Sequence, residues 1–288
     1  MNFSKLIYIS LLLSLFSSFS NAITQTSIRY PQPGEVFTKH HSYPIELLKL
    51  ALSYHSVPLT VEPSQYFMTQ GRAIKQLSQS KGIDVMWTMT SKERESEVKP
   101  IRIPIYKGLI GWRLFLTTPE QLATRKQSQD LRALKKATLI QGHDWPDTNI
   151  LRYNNFKVQT GPSYEGLFQV LSLNRAELFP RSIIEIWDEL ETHQHRNITL
   201  EPHTLLSYPT ATYFFVAQEN TALASLIEEG LQKALLDGKF DALFQQYYAD
   251  LILKANLKQR LHYRLINPLL PEATPLDQKA LWFHLDKD

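Results

Sequence analysis

Short β-prone runs alternate with stretches of helical periodicity along nearly the whole chain, which restricts the fold to α/β architectures built on largely parallel sheets. Residues 26–30 read as a first strand, closed by Pro31 and Pro33. Pro44 then opens a helix with Ile45, Leu48 and Leu52 on one face. A second strand is expected at 58–61, a helix through Ala73 and Leu77 that stops near Gly82, a third strand at 83–87, and one long extended stretch at 101–116. A second set of elements follows. Strands are expected at 137–140, 157–160, 177–179 and 198–200, and helices at 130–134, 147–155, 164–173 and 183–190. The β-prone run 212–217 carries the chain back to the first set. Two helices close the pattern, one presenting Leu223, Ile227, Leu231 and Leu235, the other Phe240, Leu243, Phe244, Tyr247 and Leu251, with Gly238 punctuating between them. The tail from Leu261, with Pro268, Pro271 and Pro275, is expected to wrap the surface and dock through Trp282.

This nesting predicts two α/β lobes, one inserted in the other, with a ligand cleft where the chain crosses. The expected division is 23–110 with 206–288 for the first lobe and 111–205 for the second. With 288 residues and 43% apolar content, the chain can bury cores of that size.

The first 22 residues stand outside this pattern. Lys5 precedes an apolar run from Leu6 to Phe19, and Ser20-Asn21-Ala22 offers the small residues that a signal peptidase reads. A cleavable signal peptide over 1–22 is expected, with a mature chain from Ile23. The run is too short and too serine-interrupted to span a bilayer, so no stable membrane insertion is expected after its removal. No cysteine is present, which removes disulfides, thiolate nucleophiles, zinc–thiolate sites, iron–sulfur clusters and lipid attachment at cysteine. An exported chain without cysteine suits the bacterial periplasm. A net charge of +3 without a Lys/Arg run argues against nucleic acid, and no oligomer signature is seen, so a monomer is expected.

More specific signals lie in Gly82-Ile83-Asp84-Val85, Thr88-Met89-Thr90, Glu93-Arg94 and Pro104-Ile105-Tyr106. They recur in order with Tyr164-Glu165-Gly166-Leu167, Asn174-Arg175-Ala176-Glu177 and Asp237-Gly238-Lys239-Phe240. Together they resemble the bacterial extracellular solute-binding proteins of family 3. The resemblance implies a type II periplasmic-binding-protein-like clamp, each lobe a mostly parallel sheet flanked by helices. It also implies a small-molecule solute, handed to an ABC permease or presented to a membrane sensor, and no cofactor.

In that family the threonine-rich strand end and the arginine bind a ligand carboxylate, for which a guanidinium supplies paired donors. The residues implied here are Thr88 and Arg94, with Trp87 and Thr90 beside them, and Tyr30 as an aromatic wall. One extra residue separates Arg94 from the threonine strand relative to the family pattern. In the second lobe, Gly142-His143, with Trp145 close by, matches the glycine turn before a helix, whose backbone N–H groups suit an anion. Asp144 and Asp147 are also good helix-start residues there. Amino-acid binders place an aspartate where Ser182 stands, preceded here by Arg181. That departure predicts weakened binding of ordinary α-amino acids and an anionic or neutral solute, unless Glu185 or Glu177 substitutes.

No serine-nucleophile elbow, H-E-x-x-H helix or phosphate loop occurs, so no catalytic residue is assigned and the chain is read as a binder rather than an enzyme. His193-Gln194-His195 with His203, and His40-His41, lack an identifiable further ligand, so no metal is assigned. Two alternatives remain open: a dehydratase-like periplasmic enzyme on the same fold, or an interaction partner with a degenerate cleft.

Overall fold

The computed structural model describes residues 27–32, 39–56, 58–125 and 130–285. The expected signal segment 1–22 lies outside them, as do the side chains of His40 and His41. Among the described residues, no helix is long and apolar enough to cross a membrane.

The first sheet starts with β1 (Ser27–Gln32), followed by α1 (Lys39–Leu52) and β2 (Thr60–Phe67), which pairs parallel to β1. Pro44 lies inside α1 instead of opening it. The helix starts one turn earlier and forgoes the hydrogen bond that the missing N–H would make. After α2 (Gln70–Ser78), Asp84 and Val85 donate their N–H groups to the Arg29 carbonyl at 2.8 and 3.2 Å, which brings β3 (Met86–Met89) alongside β1. Next come α3 (Lys92–Glu97) and β4 (Lys99–Ile101). β10 (Thr212–Val216) returns between β3 and β4, antiparallel to both. α9 (Thr221–Leu236) and α10 (Lys239–Ala255) complete this lobe, with Gly238 in the left-handed region at the turn between them. Tyr43, Leu47, Ile105, Phe214, Ile227, Phe240 and Phe244 are buried in its core.

The stretch expected to be continuously extended is broken. Gly108 adopts φ +77°, a 3-10 turn spans Leu109–Gly111, and β5 (Trp112–Thr117) begins only then. The break is where the chain crosses between lobes. The Tyr208 N–H bonds the Gly111 carbonyl at 3.2 Å. A Cβ on Gly111 would lie 2.1 Å from the Tyr208 carbonyl oxygen, so the two crossings meet backbone to backbone only because residue 111 is glycine.

The second lobe contains α4 (Pro119–Arg125), α5 (Leu131–Lys136), β6 (Thr138–Gly142), α6 (Pro146–Tyr153), β7 (Lys157–Gly161), α7 (Tyr164–Ser172), β8 (Phe179–Ser182), α8 (Ile186–Thr192) and β9 (Thr199–Ser207). β6 pairs parallel to β7, and a parallel bridge from Leu139 to Leu178 joins them to β8. β5 lies antiparallel between β8 and β9. Parallel pairing thus holds for β1/β2 and β6/β7, while β5 and β10, the strands that follow the two crossings, run antiparallel to their neighbours.

Two short helices and one strand escape periodicity. α3 reads KERESE, with no buried residue and no apolar face to detect. α4 is a seven-residue helix opening on Pro119. β11 (Leu261–Arg264) lies in the tail that was expected to wrap the surface with the first lobe; it instead pairs parallel to β9 at the edge of the second-lobe sheet. Trp282 docks as expected, its ring against Gly108.

Candidate functional site

The first-lobe wall is made by the end of β3 and the start of α3. Ser91 caps α3 by accepting the Arg94 N–H at 3.2 Å, which starts a helix immediately after the strand. The turn brings the Arg94 guanidinium back over the strand it has just left. Nη1 donates to Thr88 Oγ1 at 2.6 Å and to the Met89 carbonyl at 2.7 Å, and Nη2 donates to Gln70 Oε1 at 2.6 Å. A guanidinium carries five N–H donors, and these bonds use three. Among the described residues no further acceptor is seen, so two donors, Nε–H and one on Nη2, remain for an incoming carboxylate.

Burial draws the Arg94 pKa below its ordinary value, while Asp147, Asp144 and Glu93 act in the opposite sense. Two of those three acids, Asp147 and Asp144, come from the second lobe. Tyr30 and Trp87 continue the wall, their ring centroids 5.6 Å apart, with Phe214 edge-on behind Trp87 at 6.3 Å. Thr90 is turned elsewhere: it is fully buried and its Oγ1 donates to Glu95 Oε1 at 2.6 Å.

The second-lobe wall starts at the C-terminal end of β6. Gly142 is needed there, because a Cβ would come within 2.5 Å of the Trp145 ring. Thr148 Oγ1 donates to the Gly142 carbonyl at 2.7 Å and closes the turn, which leaves His143 and Asp144 exposed. The Trp145 ring stacks on Phe179 at 6.3 Å, and the Arg181 guanidinium lies 4.9 Å from the Trp145 ring centroid.

Arg181 is spoken for. Its Nε donates to both carboxylate oxygens of Glu189 at 2.8 Å, and its Nη2 reaches Glu189 at 2.5 Å and Glu185 at 3.2 Å. Burial alone would lower its pKa, but Glu185 and Glu189 more than offset that and raise it. Tyr164 donates to the same Glu189 at 2.8 Å. Arg181 therefore does not present the unbalanced positive charge that would repel an ammonium group. Ser182 is fully buried, its Oγ donating to the Leu109 carbonyl at 3.1 Å and its N–H bonding Glu185 at 3.2 Å. Glu177, the other acid considered, accepts the Thr138 N–H at 3.0 Å within the strand frame.

Sequence reasoning missed a second buried cluster. Arg113 on β5 donates to Asp147 at 2.5 Å and lies 3.6 Å from Glu185, and the Tyr208 hydroxyl also bonds Asp147. The only local signal was an arginine inside an apolar strand, a charge that must find a partner when buried. Gln70 had no signal. Of the histidines, His193 is buried with its ring 3.7 Å from that of Phe168, and no group of three potential metal ligands occurs among the described residues.

No family model matches the chain, and no curated protein matches it. Solved structures do. The periplasmic VFT2 domain of Bordetella pertussis BvgS is similar with a TM-score of 0.58 and 15% identity, over 77% of this chain and 92% of that domain. A periplasmic binding protein of Salmonella typhimurium with high arginine specificity is similar with a TM-score of 0.57 and 15% identity, over 78% of this chain and all of the other. A histidine kinase sensor domain similar to periplasmic binding proteins gives 0.56 and 12%, over 78% and 96%. The fold is therefore the two-lobed clamp of periplasmic binding proteins.

Proposed function

We propose that this protein is a periplasmic solute-binding clamp, exported by its N-terminal signal, that closes on a small solute carrying a carboxylate. The observation that carries the reading is the Arg94 guanidinium, held in place by Thr88, Met89 and Gln70 with two of its five donors unused by them. Closure would hinge where the two crossings touch, at Gly111 and Tyr208. The carboxylate would sit on Arg94, and the Gly142-His143 turn would approach from the other lobe. Contacts to both walls would then favour the closed state by population shift.

Asp144, Asp147, Glu185 and Glu189 outnumber Arg113 and Arg181 on the second-lobe side. A solute that adds a cationic group to its carboxylate balances this surplus better than a simple anion. That arrangement fits the similarity to an arginine-specific binding protein. The similar sensor domains fit presentation of the solute to a membrane sensor, and the binding protein fits delivery to an ABC permease.

The test is a thermal-shift panel of amino acids and simple carboxylates on the wild type and Arg94→Ala. A solute at 100 times its Kd adds about 2.7 kcal/mol of stability. The expected result is a strong shift with a dipolar solute in the wild type and none in Arg94→Ala, whose unliganded melting is unchanged. Equal stabilisation of both proteins overturns the assignment of Arg94.

A further inference from the structure

The tail beyond α10 does not end with the lobe that precedes it; it passes over both. Arg260 donates to the carbonyls of Ala255 at 2.7 Å and Glu201 at 2.8 Å, which turns the chain onto the second lobe. β11 then extends that lobe's sheet, and the Leu265 N–H bonds the Ser207 carbonyl at 2.7 Å. Asn154, at the C-terminal cap of α6, grips the next residue from both sides: its Nδ2 donates to the Ile266 carbonyl at 2.8 Å, and its Oδ1 accepts the Ile266 N–H at 3.1 Å. Asn267 donates to the Pro209 carbonyl, in the second crossing, at 2.8 Å. Two residues later the tail reaches the first lobe, where the Lys92 N–H bonds the Leu269 carbonyl at 3.3 Å. Its end is tied there too: Phe283 N–H bonds the Lys107 carbonyl at 2.7 Å, Lys107 Nζ donates to the Ala280 carbonyl at 2.9 Å, and Trp282 covers Gly108.

Apolar contacts follow the same path. Leu265 and Leu269 belong to one cluster with Met89 of the first lobe, Tyr208 of the crossing, and Phe115 and Leu206 of the second lobe. Trp112, the first residue after the first crossing, meets His262 of β11 at 5.2 Å and Phe283 at 5.1 Å. The strap thus packs on both crossings. It also touches the strand end and helix that present Arg94, through Met89 and Lys92.

We propose that the segment from Leu265 to Phe283 is a closure brace, which holds the two lobes near their closed arrangement before any solute arrives. Opening by rotation at the crossings would disturb the cluster that Met89, Tyr208, Phe115 and Leu265 share, against which Leu269 packs while its carbonyl is tied to Lys92 of the first lobe. The strap therefore stabilises the closed population at the cost of opening amplitude. Because the apparent Kd equals the intrinsic Kd divided by the competent fraction, the brace also sets affinity without touching the solute. This inference is independent of which solute binds.

The native chain has no cysteine, so Lys75→Cys on α2 and Gln169→Cys on α7, both at exposed positions in different lobes, take spin labels uniquely. Distances between the labels are measured by pulsed electron resonance on the solute-free protein. The brace predicts one narrow distribution in the otherwise native chain. It predicts a broader, longer one in Asn154→Ala/Asn267→Ala, which loses the side-chain ties but keeps the apolar seats, and a larger shift in a chain ending at Leu265. Circular dichroism checks that each variant is folded. If the truncated chain does not fold, the double variant decides. An unchanged distribution in the folded double variant and, where it folds, the truncated chain overturns the proposal. The measurement uses no solute, so it can fail while the Arg94 assignment stands, and the reverse.

Discussion

Arg94, half-buried in the first lobe, and Arg181, buried beside aromatic rings in the second, end in opposite states. Arg94 bonds a hydroxyl, a carbonyl and an amide, all neutral, and keeps two donors and its full charge for an incoming group. Arg181 is locked to one carboxylate and paired with a second, so its charge is consumed inside the protein. The contrast separates a binding arginine from a supporting one by the charge of its partners. Proximity to the cleft is common to both.

The largest effect should come from breaking the consumed side. Arg181→Met leaves the buried Glu189 without its guanidinium, and urea unfolding should show a loss of about 3–5 kcal/mol. A loss no larger than that of a surface substitution would mean that the acids find other partners. Ser182→Asp comes next. It restores the acid of the amino-acid binders in name only, because residue 182 is sealed under Leu109 and beside Glu185. We expect about 2 kcal/mol of destabilisation and no new amino-acid binding by calorimetry; a gain of binding would show that Ser182 lines the cleft.

On the open side, Gln70→Ala frees a third Arg94 donor and loosens the fork. A loss of about 1 kcal/mol, or roughly fivefold in Kd, is expected with unchanged unfolding in the absence of solute. The smallest effect concerns His193, packed on Phe168. Burial lowers its pKa from 6.5, aided by Arg196 and His195 and opposed by Glu165. The folded state therefore favours the neutral ring, and stability falls as pH drops below 6.5, because the unfolded chain takes up the proton first. Unfolding of His193→Phe between pH 7 and 5 should show less pH dependence than the wild type.

Legibility in the sequence followed the same division. The strand–helix alternation located most elements, because each rests on a local period: Leu223, Ile227 and Leu231 define α9, and Gly238 ends it. α3 was invisible, since a hexapeptide of five charged residues and a serine has no apolar face to bury and is nucleated by one Ser91 cap. β11 was invisible because an edge strand of four residues in a proline-rich tail is specified by β9, its partner. Thr88, Arg94 and the Gly142 turn carry the resemblance in the sequence, whereas the bonds of Thr90 to Glu95 and of Arg181 to Glu189 were announced by no spacing.

What the sequence by itself determined is the local machinery: the alternating elements and the Ser91-capped turn that folds Arg94 back onto Thr88, each set within a few residues. Only the tertiary structure decided which charges are spent. Arg113 meets Asp147 across 34 positions and Tyr208 meets the same acid across 61. Whether a buried guanidinium is neutralised depends on which strands the sheet order brings together, and Coulomb pairing at short range carries no trace along the chain.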